Sequence, residues 1–525
     1  MAGIDLLLAA ALTSHAPAVA AVASVGVARG EALEDIAEQT GDPLGYARRI
    51  GADAEPTKAL ELHPRAYVGR TQVQAQPQVE TPWRPETVAD RVSDRLHLDE
   101  DEPASDEDED DEGRGKLVEE LTYEHWPGLP LAASKIYFTK RRWAISGFGE
   151  LAYSHYLGDK NTASGDVELY NTNLYRFVLY GAFRATDWMI LYAEFFGELY
   201  HDGLNEVDYE IFVEAFVDFV ISKPFNLRVG WSQIPIGYVN NNDEPVQYFS
   251  VNRAEVERLI IPSQWIDLGV QAYGWITPKL VWMTHVFQGV DGNELVGASW
   301  IRRGREMRFN FRTPGVAGKL EYEPTDDLSV SASGLYMESG NRERVTVGDE
   351  RFRVRAPTGL ISAYARYTPK NWSFMVLGTV GWMGDTALLY ELTGRHEQGP
   401  QVLGARTWGV YAEVGCDILH YFARWRRKDP KRTFLYRTDE FELPLFVRYE
   451  RLDTHSRIDP KLQPRIAAGA PVFRSNLDIV TLGLNFNLRK NLVLKANYQI
   501  RHNRERGPDV AVEGDRFEMG LGFIF

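Results

Sequence analysis

From about Trp143 the chain alternates apolar and polar residues with a period of two, and it keeps that period to the end. Phe517, Met519, Leu521, Phe523 and Phe525 fall on one face opposite Glu518, Gly520 and Gly522. Upstream, Leu492, Leu494, Ala496, Tyr498 and Ile500 oppose Lys495, Asn497, Gln499 and Arg501. Near the start of this region Val213, Ala215, Val217, Phe219 and Ile221 oppose Glu210, Glu214 and Asp218. Strict alternation marks a sheet whose two faces meet unlike surroundings.

Length separates the two ways of satisfying that pattern. These strands run for about ten residues or more, which is what a tilted strand needs to cross a bilayer and is longer than the usual strand of a soluble sheet. Sixteen strands are expected, beginning near Trp143, Tyr170, Met189, Val207, Leu227, Asp267, Leu280, Arg308, Leu328, Gly359, Trp372, Thr407, Phe441, Leu477, Leu492 and Arg516. Long polar loops (237–265, 290–305, 339–356, 385–404 and 453–475) alternate with tight turns such as Ala185-Thr186-Asp187 and Thr277-Pro278-Lys279, the basic link 424–440 being an exception. An even strand number with long loops at one end and short turns at the other predicts an all-β fold: a transmembrane antiparallel β-barrel of the outer membrane, spanning residues 135–525.

Charge divides the 525-residue chain into two materials. Residues 1–134 hold 11 Lys+Arg and 27 Asp+Glu, whereas the remainder holds 47 of each. Residues 1–28 are read as a signal peptide: after Asp5, residues 6–28 carry no charge other than that of His15 and pass through Ala18-Val19-Ala20 and Ala21-Val22-Ala23, the pattern of a cleavage site. Residues 29–134 form an acidic, largely disordered extension in which 11 of the 14 residues from Asp99 to Glu112 are acids. Within it Asp108, Asp110, Glu112, Gly113 and Glu119 match positions of a calcium loop, but Glu at the fifth position and Gly115 at the eighth depart from it; a solvated polyacid is the simpler reading, and no metal or cofactor is expected. The single cysteine, Cys416, excludes an intramolecular disulfide. No nucleic-acid partner is expected, and with neither a G-x-S-x-G elbow nor an H-E-x-x-H pair an enzyme is not expected either.

Residues 227–275 carry Arg228-x-Gly230, Pro235-Ile236-Gly237, Asn240 to Glu244, Glu257-Arg258-x-Ile260-Ile261-Pro262-Ser263-x-Trp265 and Gly269-Val270. This order resembles the phosphate-selective porin O/P family, and Leu445 to Arg451, Leu494 to Gln499 and the closing Gly520 to Phe525 agree with it. The resemblance covers about residues 140–525. It implies a sixteen-stranded, usually trimeric porin passing small ions or anions; the arginine ladder and loop lysines of its phosphate-selective members do not align here one by one.

Alternation then assigns the water-facing charges. Glu150, Glu194, Glu198, Glu210, Glu214 and Asp218 come from the first four strands, and Arg366, Arg448, Lys495 and Arg501 from later ones, so that an acidic wall is expected to oppose a basic one. Loop 237–265 is the expected constriction, carrying Asp243, Glu244, Arg253, Glu255, Glu257 and Arg258; the plainer role for Glu257 and Arg258 is to tie the loop to the wall by salt bridges. Arg302, Arg303, Arg305, Arg308 and Arg312 form one further basic set, and Arg351, Arg353 and Arg355 another at spacing two. The second set suits either an anion ladder or an outer loop that binds lipopolysaccharide phosphates. Phe525, closing an alternating strand, resembles the signal read by the barrel-assembly machinery. The expected function is a water-filled channel for passive diffusion of small hydrophilic solutes, with a plugged structural or adhesin-type barrel as the alternative. In that alternative the acidic extension docks on a basic set.

Overall fold

The computed structural model describes residues 124–139, 141–156, 172–201, 207–297, 299–302, 311–395, 399–422, 441–505 and 514–525. The expected signal peptide, most of the acidic extension with its calcium-loop match, the whole basic link 424–440 and Arg303, Arg305 and Arg308 lie outside them. Among the described residues there are eighteen strands: β1 (Trp143–Tyr156), β2 (Thr172–Thr186), β3 (Met189–His201), β4 (Val207–Phe219), β5 (Asn226–Gln233), β6 (Ile266–Thr277), β7 (Leu280–Phe287), β8 (Gly315–Thr325), β9 (Leu328–Glu338), β10 (Arg344–Val347), β11 (Glu350–Arg353), β12 (Pro357–Tyr367), β13 (Trp372–Met383), β14 (Arg406–Asp417), β15 (Pro444–Arg457), β16 (Asn476–Arg489), β17 (Leu492–Asn503) and β18 (Arg516–Ile524).

Sixteen of these close a barrel. Each pairs antiparallel with its neighbour in sequence, β9 passing to β12 across the separate β10–β11 hairpin, and β18 returns to β1 with Ile524 opposite Phe148. The strand count and antiparallel order match the alternation. The eighth barrel strand, expected near Arg308, begins instead at Gly315, and Arg312 is exposed before it.

The exterior explains the alternation physically. Leu151, Tyr153, Leu191, Phe195, Leu320, Ile361, Val376, Val380 and Leu482 are exposed in an isolated chain, as side chains facing lipid must be. At the short-turn end Trp188 stacks on Phe219, and Trp372 on Phe374; Tyr336 and Trp382 stand towards the long-loop end. These form the aromatic girdles of a membrane barrel. Gly230 has φ +133°, and a Cβ there would lie 2.4 Å from the Ala215 carbonyl oxygen, so only glycine lets β5 bend against β4 at this point. Pairing between the two strands ends at Gly230 opposite Phe216, and after Gln233 the chain turns into the barrel.

Candidate functional site

The barrel interior is built from the segment between β5 and β6. Asn240 clamps the two ends of this loop: its amide donates to the carbonyls of Ile234 (2.7 Å) and Trp265 (3.1 Å), and its oxygen accepts from the Trp265 N–H (2.5 Å). The loop then crosses to the far wall, where Val251 N–H meets Asn497 (2.8 Å), Asn252 donates to Glu518 (2.6 Å) and Val256 N–H meets Glu450 (3.2 Å). Its apolar residues Ile236, Val256, Leu259, Ile260 and Ile261 form one buried cluster with inward side chains of later strands, Leu360 and Leu377 among them.

All of the expected constriction residues are buried inside the barrel, although their roles differ from the plain tie of loop to wall. Among the described residues Glu257 makes no salt bridge to the wall; it accepts from the N–H groups of Tyr238 (2.9 Å) and Val239 (2.7 Å) and from the Tyr411 hydroxyl (2.7 Å). Arg258 pairs within the loop with Glu255 (2.7 Å). Glu255 in turn meets Arg501 (3.1 Å) and Arg516 (2.8 Å). Burial alone would raise the Glu255 carboxyl, but Arg258, Arg501 and Arg516 around it hold it well below the usual carboxylate range. Asp243 lies 3.5 Å from Arg176 and 4.0 Å from Arg253.

Of the expected wall residues Glu150, Glu214, Asp218, Arg448, Lys495 and Arg501 are buried inside the barrel, but the expected separation of an acidic from a basic wall is corrected. Glu150 pairs with Arg176 at 2.7 Å and Asp218 with Arg228 at 2.9 Å, so the acidic side carries its own arginines. Arg448 is held by Glu450 (2.8 Å) and Glu413 (3.2 Å), and Arg501 by Glu255, so the basic side carries its own carboxylates. Lys495 donates to the Tyr248 and Ser250 carbonyls (2.8 and 3.0 Å). A low-dielectric interior penalises a lone charge by several kcal/mol, which is why local pairs replace a field across the lumen. Arg176, Arg228 and Arg516 went unassigned in the sequence reading, although each shares the inward parity of its strand: Arg176 alternates with buried Val178 and Tyr180.

Glu198 sits opposite Arg176, and Arg366 is an exposed position whose guanidinium lies 5.9 Å from the Tyr238 ring. Glu194 and Glu214 face one another across β3 and β4; of the Glu210 side chain nothing is described. Of the two placements open to Arg351, Arg353 and Arg355, a ladder in the lumen is not the one seen. Arg351 and Arg353 are exposed on β11 of the hairpin outside the barrel sheet, and Arg355 is exposed just after it.

Residues 124–139, mostly on the extension side of the expected boundary, enter the barrel beside β3–β7 and carry the short helix α1 (Lys135–Phe138). Trp126 stacks on Tyr137 and donates to the Tyr273 hydroxyl (2.8 Å); Tyr137 donates to Asp218 (2.5 Å). Arg228 reaches the Pro127 carbonyl (3.4 Å), and the Ala132 N–H meets Glu244 of the loop (2.7 Å). Burial pushes the Glu244 carboxyl up to about 8 against the lowering effect of that N–H. Two inserted segments therefore meet inside the lumen.

No family model matches the chain. An uncharacterized protein of Aquifex aeolicus (strain VF5) is 25% identical over 395 residues, which cover 73% of this chain and 81% of that protein. Among solved structures, Salmonella typhi OmpF in complex with daunomycin (11% identity, TM-score 0.43) and an anion-selective porin from Comamonas acidovorans (12% identity, TM-score 0.39) are matched over 73% of this chain, and over 97% and 99% of theirs. Likenesses this distant carry no argument about solutes. Closure of sixteen antiparallel strands, the lipid-facing exterior and the asymmetry of loops and turns do carry one about place: this is an outer-membrane barrel of a bacterial cell.

Proposed function

We propose that the protein is an outer-membrane porin that passes small hydrophilic solutes along a narrow path between the inserted loop and the charged wall. The observation that carries this reading is the loop of residues 234–265, clamped by Asn240 and crossing a sixteen-stranded barrel to Glu450, Asn497 and Glu518. A barrel of that size encloses a lumen wide enough for water, and an inserted loop sets its bore. Selectivity in this reading is weak, because the buried Arg176, Arg228, Arg448, Arg501 and Arg516 are each met by a carboxylate and the exposed Arg351, Arg353 and Arg355 lie off the path. A phosphate-selective member of the O/P family and a homotrimer are the finer forms, supported by the resemblance at residues 227–275. Lipopolysaccharide phosphates suit the exposed hairpin arginines.

Single-channel recording in a planar bilayer under a KCl gradient, followed by phosphate titration, tests it. Open steps with weak ion preference support the general channel, saturable block by phosphate supports the specific one, and no steps from inserted protein overturn both. A second reading, a plugged barrel, is favoured by the seating of residues 124–139 against Asp218, Arg228 and Glu244. In that case deleting 124–139 raises conductance, and an unchanged conductance removes the plug.

A further inference from the structure

On the outside of the barrel, the neighbouring strands β14 to β17 change character near the long-loop end. The outward column of β14 passes from Val410 through Trp408 to Arg406, that of β15 from Val447 and Tyr449 to Arg451, and that of β17 from Ile500 through His502 to Arg504. On β16 Asp478 stands between the last two, facing Arg451 on one side and His502 on the other. Arg406 lies opposite Arg457, because a register shift in β15 after Asp453 sets Arg457 there, where regular pairing would set His455. Arg406, Arg457 and Arg504 are exposed. By contrast the outward column of β1 runs to Tyr153 and His155, and that of β13 to Val380 and Trp382. Trp382 faces Arg406 across β13 and β14, and the Trp408 ring lies 5.4 Å from the Arg451 guanidinium, so the patch stands where the aromatic girdle marks the edge of the apolar layer.

Charge is not balanced within this patch. Asp478 is shared, accepting from Arg504 (3.1 Å) and the Tyr449 hydroxyl (2.7 Å) and lying 3.6 Å from Arg451. The other carboxylates at these strand ends are engaged, Asp453 and Glu505 by Arg474 (2.6 and 2.8 Å) and Asp515 by the Tyr498 hydroxyl (3.2 Å). Among the described residues Arg406 and Arg457 have no ion pair, although like charges directly opposite one another weaken a ladder.

We propose that this patch binds the phosphorylated disaccharide headgroup of lipopolysaccharide in the outer leaflet, with Arg406 and Arg457 clasping one phosphate and Arg504, held by Asp478, meeting the other. Long loops mark the outer side of such a barrel, so the lipid at this height is that of the outer leaflet. A guanidinium binds phosphate through paired N–H groups and keeps its charge at any physiological pH. β15 and β17 are two strand spacings apart, about 10 Å, which a disaccharide with a phosphate at each end spans. Below the patch the exposed Val410, Val447, Leu482 and Ile500 face the acyl chains of the same lipid. This site is separate from the arginines of the β10–β11 hairpin and stands whether or not the barrel conducts.

The test uses the full-length protein in detergent, freed of bound lipid and followed by native mass spectrometry as lipid A is added. A retained adduct is expected with the diphosphoryl form and about tenfold weaker retention with the monophosphoryl form, a comparison that needs no variant to fold. Inorganic phosphate at the same concentration should not displace the lipid. Arg406→Gln/Arg457→Gln should weaken the adduct by about tenfold while the barrel keeps its compact, heat-modifiable electrophoretic form, and Arg351→Gln/Arg353→Gln should bind like wild type. Equal retention of the two lipids, or displacement by inorganic phosphate, would overturn the proposal. So would a hairpin variant that loses the lipid while the Arg406→Gln/Arg457→Gln barrel keeps it.

Discussion

Asp218 shows how much of this interior rests on single charged groups. It accepts from Arg228, Tyr137 and Tyr273, so one carboxylate joins β4, β5, β6 and the inserted segment. Asp218→Asn keeps the shape but leaves the fully buried Arg228 guanidinium without an anion. Breaking a buried pair from one side costs about 3–5 kcal/mol. Reversible urea unfolding in lipid vesicles should show a loss of that order, and Asp218→Asn/Arg228→Met should recover part of it. A single variant as stable as wild type would mean that water reaches Arg228. Which face Asp218 points to was legible from alternation alone; its partner was not, because pairing across strands depends on register and on where the inserted segment lies. Arg228 was visible only as part of the Arg-x-Gly pattern that carries the resemblance, which gave no sign of its partner.

The inserted loop is the element whose length and charges marked it out in the sequence, although its internal wiring could not be read there. Glu257 looks like half of a salt bridge in the sequence, yet it caps two backbone N–H groups of the loop's entry, a use that depends on the turn at Gly237 (φ +65°). Asn240 has no distinguishing spacing, and its role as the clamp appears only when Ile234 and Trp265 are brought together. Replacing it with Ala removes three hydrogen bonds from the loop and none from the barrel ladder. The expected result is noisier, larger single-channel currents with an unfolding midpoint close to wild type; a midpoint that falls with unchanged currents would make the loop a structural brace. Glu244 adds a pH dependence. Its carboxyl is raised from 4.5 to about 8 in the folded protein, so the contribution of the neutral form is present below 4.5 and is lost as pH rises towards 8. The stability of wild type relative to Glu244→Gln should therefore decline between about pH 5 and 8. A difference flat across that range would show that Glu244 is solvated.

Closure of the barrel is a property of the whole molecule, and it depends on the seam between β18 and β1. Alternation and strand length made the closed barrel legible, because lipid outside and a polar interior act on every strand alike. The filling of the interior was less legible, because residues 124–139 carry no period that marks them as part of it. At the seam Phe525 exchanges backbone hydrogen bonds with Gly147 (2.9 and 3.0 Å), and its ring stacks against Phe177 and Phe523 at 6.3 and 6.2 Å between centroids. Gly147 leaves space for that ring, since a Cβ there would come within 2.9 Å of it. Phe525→Ala keeps the backbone pair and removes the ring, at a cost of about 1–2 kcal/mol for partly buried aromatic surface. Protein refolded from urea should show a loss of that size. Assembly in cells should fall by much more, measured as the fraction of newly made chains that reach the heat-modifiable barrel form, if the ring is also read during insertion. Equal losses in the two measurements would confine Phe525 to packing of the seam.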